Sequence, residues 1–250
     1  MRRRRAPAPI VHLALLALLA AAACREPSAE EPVSAPSYGA RPTELQGASR
    51  DPEPRAVASG PLVVFLGDSL TAGLGLAEEE AFPARVASTF AAAGRPIRVV
   101  NAGVSGDTSA GGLARLDWLL RQRPDVLVVE LGANDGLRGL PVEMTAANLR
   151  AIVSRARQAE VRVLLVGIQV PPNYGPDYAR RFAAVFPELA RELDVPLLPF
   201  LLEGVAGEPQ LNLPDGIHPT AEGHERLARN LMPYLDQVLT VEPGAAGGRD

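Results

Sequence analysis

Five short runs of Val, Leu and Ile set the limits on how this chain can fold. They are Leu62–Leu66, Ile97–Asn101, Val126–Leu131, Val163–Ile168 and Pro196–Phe200. Their near-continuous apolar content suits strands buried on both faces. Longer stretches of helical period separate them: Glu80–Ala93, Ser109–Gln122, Val142–Ala159 and Asp177–Leu193. A last helix is predicted over Ala221–Leu239, with Leu227, Leu231, Leu235 and Val238 on one stripe and Thr220 as its N-cap. Trp118 falls between Leu116 and Leu119 in the second stretch and is expected in the core. Strand–helix alternation of this kind gives an α/β fold, a parallel sheet between two helical layers.

Right-handed crossovers favour the flavodoxin-like strand order 2-1-3-4-5, a three-layer α/β/α sandwich with a five-stranded sheet. Ligands in such sheets sit beyond the carboxyl ends of the strands. Three polar loops follow strand ends here: Gly67-Asp68-Ser69, Asn101-Ala102-Gly103 and Gly132-Ala133-Asn134-Asp135. The segment Asp215-Gly216-Ile217-His218-Pro219, just before the last helix, comes to the same edge.

Composition removes several chemistries. The formal net charge is −4 even with Arg2–Arg5 included, so a nucleic-acid partner, which needs a basic face, is not expected. Every basic residue is Arg, which excludes a Schiff-base Lys, a Ser-Lys dyad and a phosphate-loop Lys. The single Cys, Cys24, lies outside the folded part, so no catalytic Cys or intramolecular disulfide is available. His12 lies in a segment expected to be removed. His218 and His224 then remain, too few for a three-His metal site.

Residues 1–23 read as a signal peptide: Arg2–Arg5, an apolar stretch from Ile10, then Ala21-Ala22-Ala23. Cys24 follows directly, and the junction resembles the lipobox of bacterial lipoproteins, which implies lipidation of Cys24. Ala21 stands where that pattern usually has Leu, and Arg25 follows the Cys, which by the resemblance permits sorting to an outer membrane. The expected product is an exported lipoprotein facing the periplasm or cell envelope. Residues 25–60, rich in Pro, Glu, Ser, Ala and Arg, cannot bury enough to offset their ordering entropy and read as a tether. The folded domain is expected over 61–240 and a disordered tail over 241–250.

A nucleophile, a base and an orienting carboxylate are what acyl transfer by serine needs. Ser69 at a strand–helix turn and an Asp215/His218 pair supply those residue types, although an N-cap Ser and a surface His would look the same taken singly. Four blocks stand in order: Gly67-Asp68-Ser69-Leu70; Asn101-Ala102-Gly103 with Ser105-Gly106-Asp107-Thr108; Gly132-Ala133-Asn134-Asp135; and Asp215-Gly216-Ile217-His218-Pro219. With Asn173-Tyr174-Gly175 and Asp194–Phe200, residues 61–240 resemble the SGNH (GDSL-type) hydrolases, in particular their bacterial thioesterase I/arylesterase/lysophospholipase branch. The resemblance implies Ser69 as nucleophile, His218 as general base and Asp215 as its orienting carboxylate. It implies an oxyanion hole from Ser69, Gly103 and Asn134, with no metal or cofactor. Asp68 and Asp135 read as structural hydrogen-bonding residues, and His224 as a partly exposed helix residue. Leu137, Leu140, Ile168 and Val170 are candidates for an apolar wall that binds substrate. Gln169 stands where some members of the family carry Arg.

The expectation is a monomeric serine esterase acting on small acyl esters, thioesters or lysophospholipids through an acyl-enzyme. A carbohydrate O-deacetylase of the same fold would use the same triad. A non-catalytic flavodoxin-like binding module would have no need of Ser69, Asp215 and His218 together.

Overall fold

The computed structural model describes residues 60–240. The signal peptide, Cys24, nearly all of the tether and the tail lie outside the described residues. Five parallel strands form the sheet: β1 (Leu62–Gly67), β2 (Arg98–Gly103), β3 (Val126–Glu130), β4 (Arg162–Val166) and β5 (Leu197–Leu198), in the order β2-β1-β3-β4-β5. That is the order expected from right-handed crossovers. All of β1 and β3 is buried, as their unbroken apolar sequences require. Each fully buried Val, Leu or Phe in these strands contributes about 1.5–3 kcal/mol relative to exposure.

The crossovers are carried by α2 (Phe82–Ala92), α3 (Ser109–Leu120), α5 (Val142–Gln158) and α6 (Pro176–Glu192), and α7 (Ala221–Thr240) closes the domain. Two very short helices, α1 (Ser69–Ala72) and α4 (Ala133–Leu137), follow β1 and β3 directly. Helix α2 packs on α7, while α3 packs on α5 and α5 on α6, giving one helical layer on each face. Thr220 caps α7 by accepting from the Gly223 N–H at 3.2 Å, and Leu227, Leu231, Leu235 and Val238 are buried on its stripe.

Two expectations change. Strand β5 pairs over only two residues rather than five, because Pro196 and Pro199 flank it and have no N–H for a ladder. Trp118 is 59% exposed rather than in the core. The buried face of α3 is Gly112, Leu116 and Leu119, and a residue two positions past Leu116 lies about 200° round the helix from it.

The register brings the site's loops level. Gly67 pairs with Gly103 on one side and with Glu130 on the other, so β1, β2 and β3 end together. The three polar loops leave from that common line.

Candidate active site

The turn after β1 is held by its own side chains. Asp68 is the N-cap of α1: its Oδ1 accepts the Leu70 N–H at 3.0 Å, and Gly73, at φ 74°, ends the helix after one turn. Ser69 is thereby the first helical residue, aimed beyond the sheet edge. Beneath it, buried Thr71 donates its hydroxyl to Glu130 Oε2 at 2.7 Å. Gly67 is required there, since a Cβ would meet Thr71 Oγ1 at 2.0 Å and Glu130 Oε2 at 2.7 Å. Burial, with the Asp68 carboxyl nearby, pushes Glu130 well above the carboxylate range, and its Oε1 has no hydrogen-bond partner among the described residues. Burial also raises Asp68, to about 6, against the hydrogen bonds from Leu70 and Asn134 that favour its charged form.

Asp215 and His218 share one tight turn. Asp215 Oδ1 accepts the backbone N–H groups of Ile217 at 2.9 Å and His218 at 3.0 Å. Its Oδ2 lies 2.7 Å from His218 Nδ1. The His218 N–H first, then its ring, draw the Asp215 carboxyl down to about 2. The carboxylate therefore makes Nδ1 the donor and leaves Nε2 as an acceptor. Nε2 lies 2.9 Å from Ser69 Oγ, across 149 residues of sequence. The turn is anchored by the Leu213 N–H donating to the His218 carbonyl at 2.7 Å. Asn212, whose Nδ2 donates to the carbonyls of Val205 and Glu208, ties down the chain before it.

Asn134 is in the first turn of α4, and its Nδ2 donates to Asp68 Oδ2 at 3.2 Å, which holds the amide beside Ser69. Gly103 stands elsewhere than expected. Its N–H donates to Asn101 Oδ1 at 3.0 Å, and it does not line the cavity at Ser69. Its lack of a side chain serves packing, because a Cβ would sit 2.2 Å from the Ala72 nitrogen. Gly106, three residues on, does line that cavity. Its φ is 81°, its carbonyl accepts from Arg138 at 2.9 Å, and its N–H has no partner among the described residues. Arg115 was not singled out from sequence, where it is one of many arginines. Its guanidinium donates to Asp107 Oδ2 and to the carbonyls of Ala102 and Gly67, joining the ends of β1 and β2 to the loop that carries Gly106.

Asp135 lies buried behind the site and accepts from the Ser109 N–H, the Ser109 hydroxyl and Thr145. His224 is 1% exposed, not a partly exposed helix residue. Its Nδ1 accepts the Phe82 N–H at 3.0 Å and its ring stacks on Phe82, so it serves the start of α2 and stands apart from Ser69.

A cavity of about 640 Å³ opens at Ser69 and His218. It passes Asn134, crosses Ile168 and Val170 beyond β4, and reaches Phe200 and Leu202 beyond β5. Leu137, Ile168 and Val170, expected in an apolar wall, all line it. Leu140 does not; its carbonyl instead accepts from Tyr178 Oη at 2.9 Å.

Residues 65–226 match the GDSL-like Lipase/Acylhydrolase family. Esterase TesA of Pseudomonas aeruginosa is 44% identical over 183 residues, 73% of this chain and 91% of that protein. Thioesterase 1/protease 1/lysophospholipase L1 of Escherichia coli K12 is 43% identical over 187 residues, 73% of this chain and 88% of that protein. Among solved structures, the psychrotrophic esterase EstA from Pseudoalteromonas sp. superposes with a TM-score of 0.69 at 35% identity, covering 72% of this chain and all of that one. With a family match across most of the folded part and relatives above 40% identity, the chain belongs to the GDSL/SGNH acyl hydrolases and is a carboxylic ester hydrolase.

Proposed function

We propose that this enzyme cleaves acyl esters by forming an acyl-enzyme on Ser69. The observation that carries the reading is the relay from Asp215 through His218 to Ser69, 2.7 Å and 2.9 Å long, at the mouth of an apolar cavity. Ser69 Oγ attacks the acyl carbonyl as His218 Nε2 takes its proton. Asp215 keeps Nδ1 protonated and stabilises the imidazolium that forms. The carbonyl oxygen becomes an oxyanion facing the Ser69 N–H, the Gly106 N–H and Asn134 Nδ2. In this reading Gly106, whose amide is unpaired among the described residues, takes the place expected of Gly103, whose amide is already bonded to Asn101. Collapse breaks the C–O bond, and His218 returns its proton to the departing alcohol. A water molecule, deprotonated by the same ring, then releases the acid.

The acyl chain lies along Leu137, Ile168 and Val170, with Phe200 and Leu202 beyond. That apolar length favours a fatty acyl ester over an acetylated sugar. The relatives' names, esterase and thioesterase 1/protease 1/lysophospholipase L1, fit an acyl donor whose leaving group is an alcohol or a thiol. Residues 1–23 direct export and Cys24 carries a lipid anchor, so the enzyme works at the envelope, as a monomer.

The test is Ser69→Ala. It should neither react with a fluorophosphonate nor hydrolyse p-nitrophenyl esters, while its circular dichroism stays native. Wild-type rates in a native Ser69→Ala protein would end this reading.

A further inference from the structure

The exposed large apolar side chains are unevenly placed. Among the described residues they are Leu74, Val104, Trp118, Met144, Tyr174 and Ile217. All but Trp118 stand at the carboxyl edge of the sheet. Leu74 and Ile217 line the cavity itself, and Val104 precedes the lining residue Ser105. Tyr174 donates its hydroxyl to the carbonyl of the lining residue Leu137, and Met144 is in the first turn of α5. Single exposed apolar residues need no explanation; a set gathered on the one edge where the cavity opens marks a contact surface.

The charge at the mouth says what kind of surface fits. No Arg lines the cavity and Asp68 does, while the Asp215 carboxylate stands just behind the lining residue His218. Arg138, nearby, is turned onto the Gly106 carbonyl. Such a rim does not attract an anionic surface, but it suits one whose headgroups carry no net charge. The described chain begins at Gly60, at the amino end of β1 and so at the opposite edge. The residues between Cys24 and Gly60 are long enough, at up to about 3.3–3.6 Å each, for a domain anchored at Cys24 to turn its mouth toward a lipid surface.

We propose that the apolar rim of Leu74, Val104, Met144, Tyr174 and Ile217 docks the mouth on a zwitterionic phospholipid surface, so that an acyl chain enters the cavity without crossing water. The proposal rests on the esterase reading for what enters, but the docking can be measured without it. The full chain carrying Cys24→Ser, which has no thiol to acylate, is floated with phosphatidylcholine vesicles. Rates are measured for soluble p-nitrophenyl butyrate and for a long-chain p-nitrophenyl ester carried in the same vesicles. The protein should float with the vesicles. Adding Val104→Asp with Met144→Asp should cut vesicle binding and the vesicle-borne rate about tenfold, while the butyrate rate stays within about twofold. Neither change threatens the fold: Val104 is exposed, and a carboxylate is favourable in the first turn of α5.

Failure to float, or floating only with anionic phosphatidylglycerol vesicles, would overturn the proposal. So would a variant that floats like its parent, or one whose butyrate rate falls in step with the vesicle-borne rate. If neither ester is hydrolysed but flotation still follows the variants, the docking stands and the esterase reading falls.

Discussion

Asp68 is buried beside Ser69, yet the Leu70 N–H and Asn134 Nδ2 both donate to it. Burial outweighs these bonds and holds the carboxyl up at about 6. A carboxyl raised in the fold keeps its proton while the unfolded chain, near 3.8, has lost it. Stability therefore falls as pH rises from about 4 to about 6, and stays lower above that. Asp68→Asn keeps an oxygen for the Leu70 N–H but presents an amide to the Asn134 amide. The variant should be more stable than its parent at pH 8 and no more stable below pH 4, by urea midpoints. Its kcat should fall by roughly 10–100-fold, less than for loss of the donor itself. An unchanged kcat would show that Asp68 does not orient Asn134. Asn134→Ala should cost roughly 10²–10³ in kcat, or about 2.7–4 kcal/mol, with KM barely moved. A raised KM at constant kcat would move Asn134 from oxyanion stabilisation to substrate binding. That Ser69, Asp215 and His218 meet was legible because each sits in a distinctive block. The choice of Gly103 over Gly106 was not settled by sequence, because Gly103 ends β2 and Gly106 stands only three residues on. Which amide is free depends on where the Asn101 side chain turns, and spacing along the chain does not encode that.

Helix α2 begins on an acceptor supplied by another helix. The Phe82 N–H, one of the orphan donors of a helix start, is met by His224 Nδ1 from α7. Burial and the neighbouring Arg85 depress the His224 ring to about 4. The neutral ring belongs to the fold, so its contribution is whole above about 6.5 and is lost as pH falls from there toward 4. The slope is opposite in sign to that of Asp68 over the same range. His224→Gln, which retains an acceptor, should flatten the acid loss of stability and leave ester hydrolysis at pH 8 within about twofold. A large loss of activity in a folded His224→Gln protein would mean that the ring acts in the reaction. His224 stands three and seven residues before Leu227 and Leu231 and so lies on their stripe, which reports its burial; that the Phe82 N–H is its partner depends on α2 packing there. Trp118 shows the converse. A residue set between two leucines looks buried, but Leu116 and Leu119 share a helix face that position 118 does not.

At the scale of the whole molecule, the strand order followed from alternation and handedness alone, which is why the fold was legible without any side-chain contact. The cavity was less so. Its far wall at Phe200 and Leu202 comes from beyond the edge strand β5, and no motif spacing reports that approach. The segment before Gly60 carries its own prediction. Palmitate fed to the native host should label the protein, and Cys24→Ser should abolish the label. A native protein that is freely soluble and begins at another residue would refute the anchor.

Ser69 follows the first strand, and His218 precedes the last helix. Almost the whole folded length must therefore be in register before their 2.9 Å contact can exist. A chain still being made, threaded through a membrane or nicked in between carries Ser69 without His218 beside it, and on the proposed mechanism such a chain is chemically silent. Parallel strands joined by crossovers are slow to pair, so this silence is not brief on the time scale of folding. On refolding from urea, recovery of ester hydrolysis should lag recovery of the helical signal. The interval measures how long the molecule stays harmless to any esters it passes on its way to where it works.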